Sequence, residues 1–273
     1  MGDWPVSWGS HQKITALVDI ANSNLISITK AGAIHTKGAW TELTASLVQE
    51  ANGLIVNFRT YKRGSFDLAI GGAGSEIIVA ANMLTGLGGL AAGTGYPWYS
   101  IPITIPAGTR LSGRVQLADL AASALMAVYA LTGGFNLDPV LSNCATYGFV
   151  AASTKGTDID PGATIHTKGA WVEFAASLTH PVKAVIVAFD HADATSNAYT
   201  TWLVDVGLGA AGSEQVLIPN IAIAYDTPRI IQALCTPVIR ASIPAGSRVS
   251  LRAQCLINTV TTRVFDAVLY CFY

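Results

Sequence analysis

Charge is scarce in this sequence. Asp, Glu, Lys and Arg make up 12% of the 273 residues, whereas hydrophobic residues make up 51%. The charged share is about half of what soluble domains usually carry. The formal net charge of −1 gives no electrostatic attraction to nucleic acid, so no nucleic-acid partner is predicted. Because so little charge cannot cover two free domains, we expect a homo-oligomer that is also buried against other proteins.

Long apolar runs and a leader sequence are also missing. No stretch of about twenty mainly apolar residues is free of Gly, Pro and charge, which predicts no membrane insertion. The most apolar stretch, Gly86–Gly95, is mostly Gly, Ala and Leu. It lacks the Gly-Lys-Ser/Thr of a phosphate-binding loop and predicts a plain loop. The N-terminus has neither a basic nor an apolar signal region, so no secretory signal is predicted.

Cysteine is absent from the first half of the chain. The four cysteines all lie in the second half, at Cys144, Cys235, Cys255 and Cys271. The repeat described below makes the two halves copies of each other. A disulfide framework that the fold requires would therefore occur in both halves. We therefore expect small core residues in a reducing compartment.

An internal repeat is the most informative feature that is present. Ala33–Trp40 returns as Thr164–Trp171 with seven of eight residues unchanged, at an offset of 166 − 35 = 131. Further on, Gly72–Glu76 matches Ala210–Glu214 at an offset of 214 − 76 = 138. The second copy thus has 138 − 131 = 7 extra residues, which we place in a surface loop at Asp190–Thr201. A repeat this long is a whole domain.

The repeat divides the chain into three parts. We predict an N-terminal arm over residues 1–22, a first module over 23–134 and a second module over 135–273. The turn-forming residues of Thr132–Pro139 mark the joint. The arm shows no periodicity, and we expect its Trp4 and Trp8 to contact a neighbouring chain or a larger particle.

Strand patterns dominate both copies. Polar and apolar residues alternate over Arg248–Cys255 and again over Arg110–Gln116, as in an antiparallel sheet with one polar face. Pro-Ala-Gly precedes each segment and predicts a turn. The final segment, Val264–Tyr273, predicts a terminal strand. We therefore predict an all-β protein of two tandem homologous antiparallel β-sandwich domains of jelly-roll type.

Histidine and carboxylate pairs suggest chemistry but do not form a site signature. His35 and its copy His166 lack further ligands at metal-binding spacing, so we expect structural histidines that form hydrogen bonds within their own modules. The carboxylate residues that recur in both modules are Asp67, Asp205, Glu76 and Glu214. Glycoside hydrolysis needs an asymmetric pair in one cleft, whereas each Glu here follows Gly-Ser and predicts a cap on turn amides. No catalytic residue, metal or cofactor is predicted.

Repeated tryptophans and arginines are the remaining candidates for binding. Trp40 and Trp171 follow Gly-Ala at a strand start and predict core or intersheet anchors, with a sugar-stacking platform or a subunit contact as open alternatives. Arginines form a polar stripe on one sheet face, at Arg110, Arg114, Arg248 and Arg252. Such stripes are commonly just solvated, but in a protein so short of charge they are natural contacts for a neighbouring subunit.

Three motifs of the second copy resemble modules of tailed-bacteriophage virion proteins. They are Gly209–Asn220, Ile243–Arg248 and Arg252–Gln254. The resemblance covers most of residues 163–273 and, more loosely, 33–131, where Ile77–Asn82 departs from it. It implies a tail, fibre or capsid-decoration component, located in the virion after synthesis in the host cytoplasm, with a trimer favoured. These motifs are turns and identify no catalytic residue.

The sequence therefore predicts a non-enzymatic structural component of a phage particle that acts through protein–protein assembly. Two alternatives stay open. One is a lectin-like receptor-binding protein whose loop tips contact host glycan. The other is a polysaccharide-degrading tailspike, which the missing asymmetric carboxylate pair disfavours.

Overall fold

A computed structural model describes residues 13–16, 25–60, 63–85, 98–120, 124–132, 141–190, 200–225, 234–258 and 263–273. Strands dominate these residues. Those of the first module are β1 (Lys13–Ala16), β2 (Ile26–Ser27), β3 (Thr41–Thr44), β4 (Gly53–Thr60), β5 (Gly64–Ile70), β6 (Ile77–Leu84), β7 (Trp98–Ile101), β8 (Leu111–Leu117) and β9 (Ala124–Thr132).

The second module continues the numbering. Its strands are β10 (Cys144–Tyr147), β11 (Thr157–Ile159), β12 (Val172–Ala175), β13 (Val182–Asp190), β14 (Thr200–Leu208), β15 (Gln215–Tyr225), β16 (Leu234–Cys235), β17 (Ile239–Ile243), β18 (Val249–Cys255) and β19 (Phe265–Phe272). One 3-10 turn, Ala151–Ser153, lies between β10 and β11. Every pairing among the described strands is antiparallel.

Each module is a sandwich of two sheets with matching strand order. In module one, one sheet has the order β1-β9-β4-β7, with β2 also on β9, and the other has the order β3-β8-β5-β6. In module two the orders are β10-β19-β13-β16, with β11 on β19 and β17 on β13, and β12-β18-β14-β15. The predicted all-β sandwich fold is confirmed. Strand β1 belongs to the first sheet although it lies within residues 1–22, which the sequence assigned to an arm.

The two modules also share their strand register. Tyr129 on β9 stands opposite Ile55 on β4, and Tyr270 on β19 stands opposite Ile186 on β13. These pairs are therefore structural twins, as are β6 and β15 in the other sheets. The twin relation makes each module a control for the other.

The predicted Pro-Ala-Gly turns precede β8 and β18. Gly108 and Gly246 adopt φ of 79° and 80°, a region that only glycine enters freely. The backbone then returns into strands β8 and β18, whose apolar residues at alternate positions lie in the core of their sandwich. Local turn chemistry and alternation thus account for these elements.

The core of module one extends into module two. One continuous apolar cluster contains the interior of the first sandwich together with Ile186, Val268, Tyr270 and Phe272 from the second. The interleaved residues of the same strands, such as Val187 and Leu269, lie in the second sandwich's own core. Every residue of β19 is buried because both faces of its sheet are covered, which explains its nearly unbroken apolar sequence.

Several predicted features lie outside the described residues. They are Trp4 and Trp8, the Gly86–Gly95 loop, residues 133–139 of the joint and residues 191–199 of the predicted insertion loop. No helix in the described part of the chain has the length and apolar character needed to cross a membrane.

Candidate functional site

A carboxylate bridged by two cations braces the outer sheet of module one. Lys37 donates from Nζ to Oδ1 of Asp67 at 2.8 Å, and Arg114 donates from Nε to Oδ2 at 2.7 Å. Oδ1 of Asp67 also accepts the backbone amide of Asn82 at 2.8 Å. Asn82 has a φ of 56°, and the β5–β6 register shifts beside it. The buried carboxylate thus fixes an irregular point in the edge strand β6.

Module two repeats this brace. Asp205 accepts Lys168 at 2.7 Å, Arg252 at 3.0 Å and the Asn220 amide at 2.9 Å. Burial alone would raise the pKa of Asp205, but the hydrogen bonds from these three donors outweigh it and hold the pKa below its ordinary value. A carboxylate held ionised by three donors is suited to bracing a strand and unsuited to donating a proton.

A second polar clamp joins two turns to a strand in each module. Arg110 donates to Glu42 at 2.8 Å, to Glu76 at 3.2 Å and to the Gly71 carbonyl at 3.2 Å. Glu76 in turn accepts the Gly74 amide at 3.0 Å, so the prediction that this Glu caps a turn amide is confirmed. The clamp holds the β5–β6 turn against the start of β8.

The same clamp recurs on Arg248. It donates to Glu173 at 2.7 Å, to Glu214 at 2.7 Å and to the Gly209 carbonyl at 3.2 Å. Partial burial favours a higher pKa for Glu214, but the hydrogen bonds from Arg248 and from backbone amides lower the pKa below its ordinary value. Paired charges of this kind hold turns in place.

The tryptophans lie outside the core, so that prediction is wrong. Trp40 and Trp171 are half-buried, and their ring centroids lie 4.3 Å from the guanidinium carbons of Arg114 and Arg252. Trp40 lies just before β3, whose Glu42 is exposed. In each module the arginine that binds the buried Asp also packs on one face of the Trp ring in a cation–π contact.

The histidines have different surroundings in the two modules. His35 and His166 share a left-handed backbone, with φ of 56° and 60°, and each amide bonds to the end of the neighbouring β8 or β18 strand. The His35 side chain, however, lies 2.8 Å through Nδ1 from Oγ1 of Thr154, in the other module. The expectation that its partner lies within its own module is wrong because the 3-10 turn of module two packs against it.

The four arginines predicted as interaction residues all make ion pairs within their modules. The side chains of these arginines are between 15% and 28% exposed. The four residues are Arg110, Arg114, Arg248 and Arg252. Their contact with a neighbouring subunit stays a prediction. Trp4 and Trp8, the other two predicted interaction residues, lie outside the described part of the chain.

The junction between the modules was not foreseen from the sequence. Tyr270 lies on the outer face of β19, and its hydroxyl accepts the Leu84 amide at 2.8 Å and donates to the Asn82 carbonyl at 2.9 Å. Thr146 donates to the Ala81 carbonyl at 2.6 Å. These backbone groups belong to β6, the last strand of its sheet. Module two therefore covers an open sheet edge with the side chains of a sheet face rather than with another strand.

Aromatic packing completes this contact. The rings of Tyr99 on β7 and Tyr270 meet edge to face with centroids 5.8 Å apart, and the Tyr99 hydroxyl donates to the Leu84 carbonyl at 2.7 Å. Both tyrosines are fully buried, and burial raises the pKa of each well above its ordinary value. They therefore stay protonated and keep their hydroxyl donors at physiological pH.

A buried acid pair lies at the border of the junction. Asp190 and Asp266 stand opposite each other on β13 and β19, and Arg63 of module one reaches them at 3.1 Å and 3.4 Å. Asp266 also accepts the Gly156 amide at 2.7 Å. Burial, and then repulsion from Asp190, raise the pKa of Asp266 to about 7 against the attraction of Arg63. The twin positions are Arg59 and Leu125, so the acid pair occurs only where the modules meet.

Metal-binding and disulfide chemistry find no support among the described side chains. No group of three or more His, Cys, Asp or Glu residues in this part of the chain is placed to hold a metal ion. The cysteines are unpaired, with Cys255 and Cys271 buried and Cys144 and Cys235 half-buried. The described residues that recur in both modules thus brace strands and turns, while the junction joins a sheet face to a sheet edge.

Comparisons with known proteins give only distant structural likenesses. No family model matches the sequence, and no curated protein matches it. The solved structure of PNGF-II has 8% sequence identity to this chain and a TM-score of 0.40. The match covers 94% of this chain and 64% of the PNGF-II chain. This chain thus spans less than two thirds of that protein. The tandem CBM22-1–CBM22-2 domains of Xyn10C from Paenibacillus barcinonensis are 10% identical, with 96% and 91% covered and a TM-score of 0.29.

Proposed function

We propose that this chain is a non-enzymatic structural protein of a tailed-phage particle and acts through protein–protein assembly. The observation that carries the proposal is the junction between the modules. There an apolar sheet face of module two packs against the edge strand β6, and the Tyr270 hydroxyl bonds to its backbone. The same fold thus presents both halves of a protein-docking contact. A duplicated module of this kind is suited to building larger assemblies from repeated face-to-edge contacts.

The repeated polar residues support a structural role. Asp67 and Asp205 each accept hydrogen bonds from two cationic side chains and a backbone amide. Their charges hold the irregular point of an edge strand in both modules. An acid–base pair for catalysis needs two groups whose pKa values are driven apart in one cleft, whereas these two residues have the same partners in separate modules.

The assignment to a phage particle follows the resemblance of the turn motifs in Gly209–Asn220 and Ile243–Arg248 to virion modules. It is tested by mass spectrometry of purified particles, in which we expect the protein at a stoichiometry of many copies. Particles that form, infect and lack the protein would contradict the proposal.

Glycan binding is the outcome that would replace this proposal. A glycan array tests it with the full chain and with a variant in which residues 191–199 are shortened. We expect no binding from either protein. Binding that the shortened loop abolishes would assign a receptor-binding role to that loop.

A further inference from the structure

Module two contacts module one at two places, which together we call the occupied seat. One is the edge of β6, where the Tyr270 hydroxyl binds two backbone groups. The other is the end of β8, where Gln116 donates to the Thr154 hydroxyl at 2.8 Å and to the Ala151 carbonyl at 2.6 Å. His35 also lies 2.8 Å from that hydroxyl.

Module two carries a copy of this seat, and the copy is open. Gln116 is 3% exposed, whereas its twin Gln254 is only half-buried. His35 is half-buried, whereas its twin His166 is exposed. Neither twin side chain forms a hydrogen bond within the described part of the chain. On the edge strand β15, Ala222 is exposed. These residues define the open seat.

We infer that the open seat binds a further β-sandwich module like module two, supplied by another polypeptide of the same particle. The inference rests on the proposed structural role and names the class of partner. The occupied seat shows what the partner presents, namely an outward tyrosine and a left-handed threonine turn, as in Tyr270 and Thr154. Val216 and Leu217, which are 43% and 36% exposed, provide apolar area for its sheet face.

The backbone of the open seat already has the geometry of the occupied one. Asn220 has a φ of 52° and its amide donates to Asp205, as the amide of Asn82 donates to the equivalent acid in module one. The carbonyl of Asn220 and the amide of Ala222 therefore correspond to the two groups that Tyr270 binds. The brace lies wholly within module two, so this geometry exists before any partner arrives.

Bracing does not account for the whole of the open seat. Lys168 binds Asp205 and therefore serves module two itself. The side chains of His166 and Gln254 have no such use among the described residues, although their twins in module one hold the turn of module two. A second docking contact gives both side chains the partners that they lack.

Pro219 favours a sheet face over an added strand as the occupant. A strand that extended the sheet would need backbone donors along β15, and proline has none. The contact at the junction makes no such demand at this position, because Thr146 uses only the carbonyl of the twin residue Ala81. Proline and the irregular Asn220 thus block strand addition while leaving the face-to-edge contact available.

A second copy of this chain does not offer the matching face. Its module two already packs on its own module one. Its module one has Tyr129 at the position of Tyr270, but Tyr129 is 6% exposed, has partners and packs 6.0 Å from Trp98. Ala16 pairs with Tyr129 where Thr146 pairs with Tyr270. The partner is therefore a different polypeptide.

A three-module chain tests the inference. Residues 133–273 are appended to the full chain, so that a second copy of module two follows the first on the natural joint and docking becomes intramolecular. The appended copy carries Ala222→Arg, which closes its own seat and gives its β15 peptide a different mass. Hydrogen exchange is read by mass spectrometry in the middle module's Gln215–Tyr225. We expect its Ala222 amide to exchange at least about tenfold more slowly than in the two-module chain.

Two substitutions identify the contact. Tyr270→Phe in the appended module and Gln254→Ala in the middle module should each reduce that protection at least about threefold, because each removes a hydrogen bond. The matched control is Tyr270→Phe in the middle module. It should speed exchange of the Leu84 amide, which that hydroxyl binds, and leave Ala222 protected.

An Ala222 amide that exchanges equally fast in both chains would overturn the inference, as would protection that neither substitution reduces. If circular dichroism shows that the appended module fails to fold, exchange of Gln215–Tyr225 is compared between purified particles and the purified chain, and equal rates overturn the inference. Self-association of the unaltered chain that Ala222→Arg abolishes would make a second copy the occupant and overturn the choice of partner. The three-module test needs no particle, so its failure is distinct from failure of the proposed function.

Discussion

Strands β6 and β15 occupy the same place in two copies of one fold, yet their surroundings differ. Val79 on β6 is 2% exposed, whereas Leu217 at the twin position is 36% exposed. Leu84 is fully buried, whereas its twin Ala222 is exposed. The braces beneath the two strands have the same partners, so the fold of the module does not cause the difference. The presence of a neighbouring sheet face on β6 does.

The comparison shows how this fold closes a sheet edge. Outward-facing amides and carbonyls of an edge strand invite uncontrolled pairing. In module one a tyrosine and a threonine from the second module bind those groups directly. In module two Pro219 and the bulged Asn220 discourage strand pairing while the edge stays exposed. One edge is thus satisfied within the chain and the other is protected but available.

The largest expected effect comes from removing the side chain that covers β6. We expect Tyr270→Ala to lower the free energy of unfolding by about 4 kcal/mol, since it leaves a cavity and two backbone groups without their partner. Tyr270→Phe should cost about 1–2 kcal/mol, because it removes only the hydroxyl. Urea denaturation measures both.

Tyr147→Phe is the control, on the neighbouring strand β10. Its hydroxyl makes an exposed contact with Thr179 at 3.3 Å, and we expect a cost below about 0.5 kcal/mol. Equal costs for the two Phe variants would show that the junction does not depend on the Tyr270 hydroxyl.

The sequence predicted the repeated part of this architecture because its signals are local. Alternation in Arg248–Cys255 and the positive φ of Gly246 are properties of short segments, and they specified a strand and a turn correctly. Tryptophan burial was predicted from the preceding Gly-Ala alone. The arginine that packs on the ring, Arg114, lies on another strand, and a local signal such as Gly-Ala does not include it.

The junction was not predicted because it joins residues far apart in the chain. Tyr270 and Leu84 are 186 positions apart, and no local pattern pairs them. One signal did exist in β19, where Val268, Leu269, Tyr270, Cys271 and Phe272 are consecutive apolar or aromatic residues. Such a run indicates a strand with both faces buried. The partner of its outer face still could not be named, because burial does not identify what covers a surface.

The second prediction uses pH to act on the acid pair at the border of the junction. Asp266 has a pKa of about 7 in the folded chain, whereas an ordinary Asp in the unfolded chain has a pKa of about 4. Between these two values the folded chain holds a proton on Asp266 and the unfolded chain does not. The free energy of unfolding should therefore fall as the pH rises from about 4 to 7, by an amount on the order of 3 kcal/mol. Above that window Asp266 is charged beside Arg63.

Asp266→Asn isolates this contribution. It removes the titrating group while an oxygen remains to accept the Gly156 amide, so stability measured by urea denaturation at intervals between pH 4 and 8 should show a flatter profile than that of the unaltered chain. A profile with the same slope in both proteins would assign the pH dependence to other groups.

The third prediction concerns what the two strands share. Asp67→Ala and Asp205→Ala each remove a carboxylate from two cations and a bulge amide. Breaking a fully buried ion pair costs about 3–5 kcal/mol, but the lysine and arginine side chains here are 17% to 28% exposed. We expect about 2 kcal/mol for each variant. Thermal unfolding of both should agree within about 1 kcal/mol, and a larger difference would mean that the junction also depends on the module-one brace.

The last prediction compares the two strands directly and has the smallest expected effects. Val79→Ala removes buried methyl groups from the cluster that both modules share and should lower the free energy of unfolding by about 1–2 kcal/mol. Leu217→Ala removes more carbon, yet it should cost less than about 0.5 kcal/mol in dilute protein, because Leu217 is already in contact with water. Urea denaturation at low micromolar concentration measures this difference. A large cost of Leu217→Ala in the dilute chain would mean that β15 is covered within its own module, and the two edges would then no longer differ.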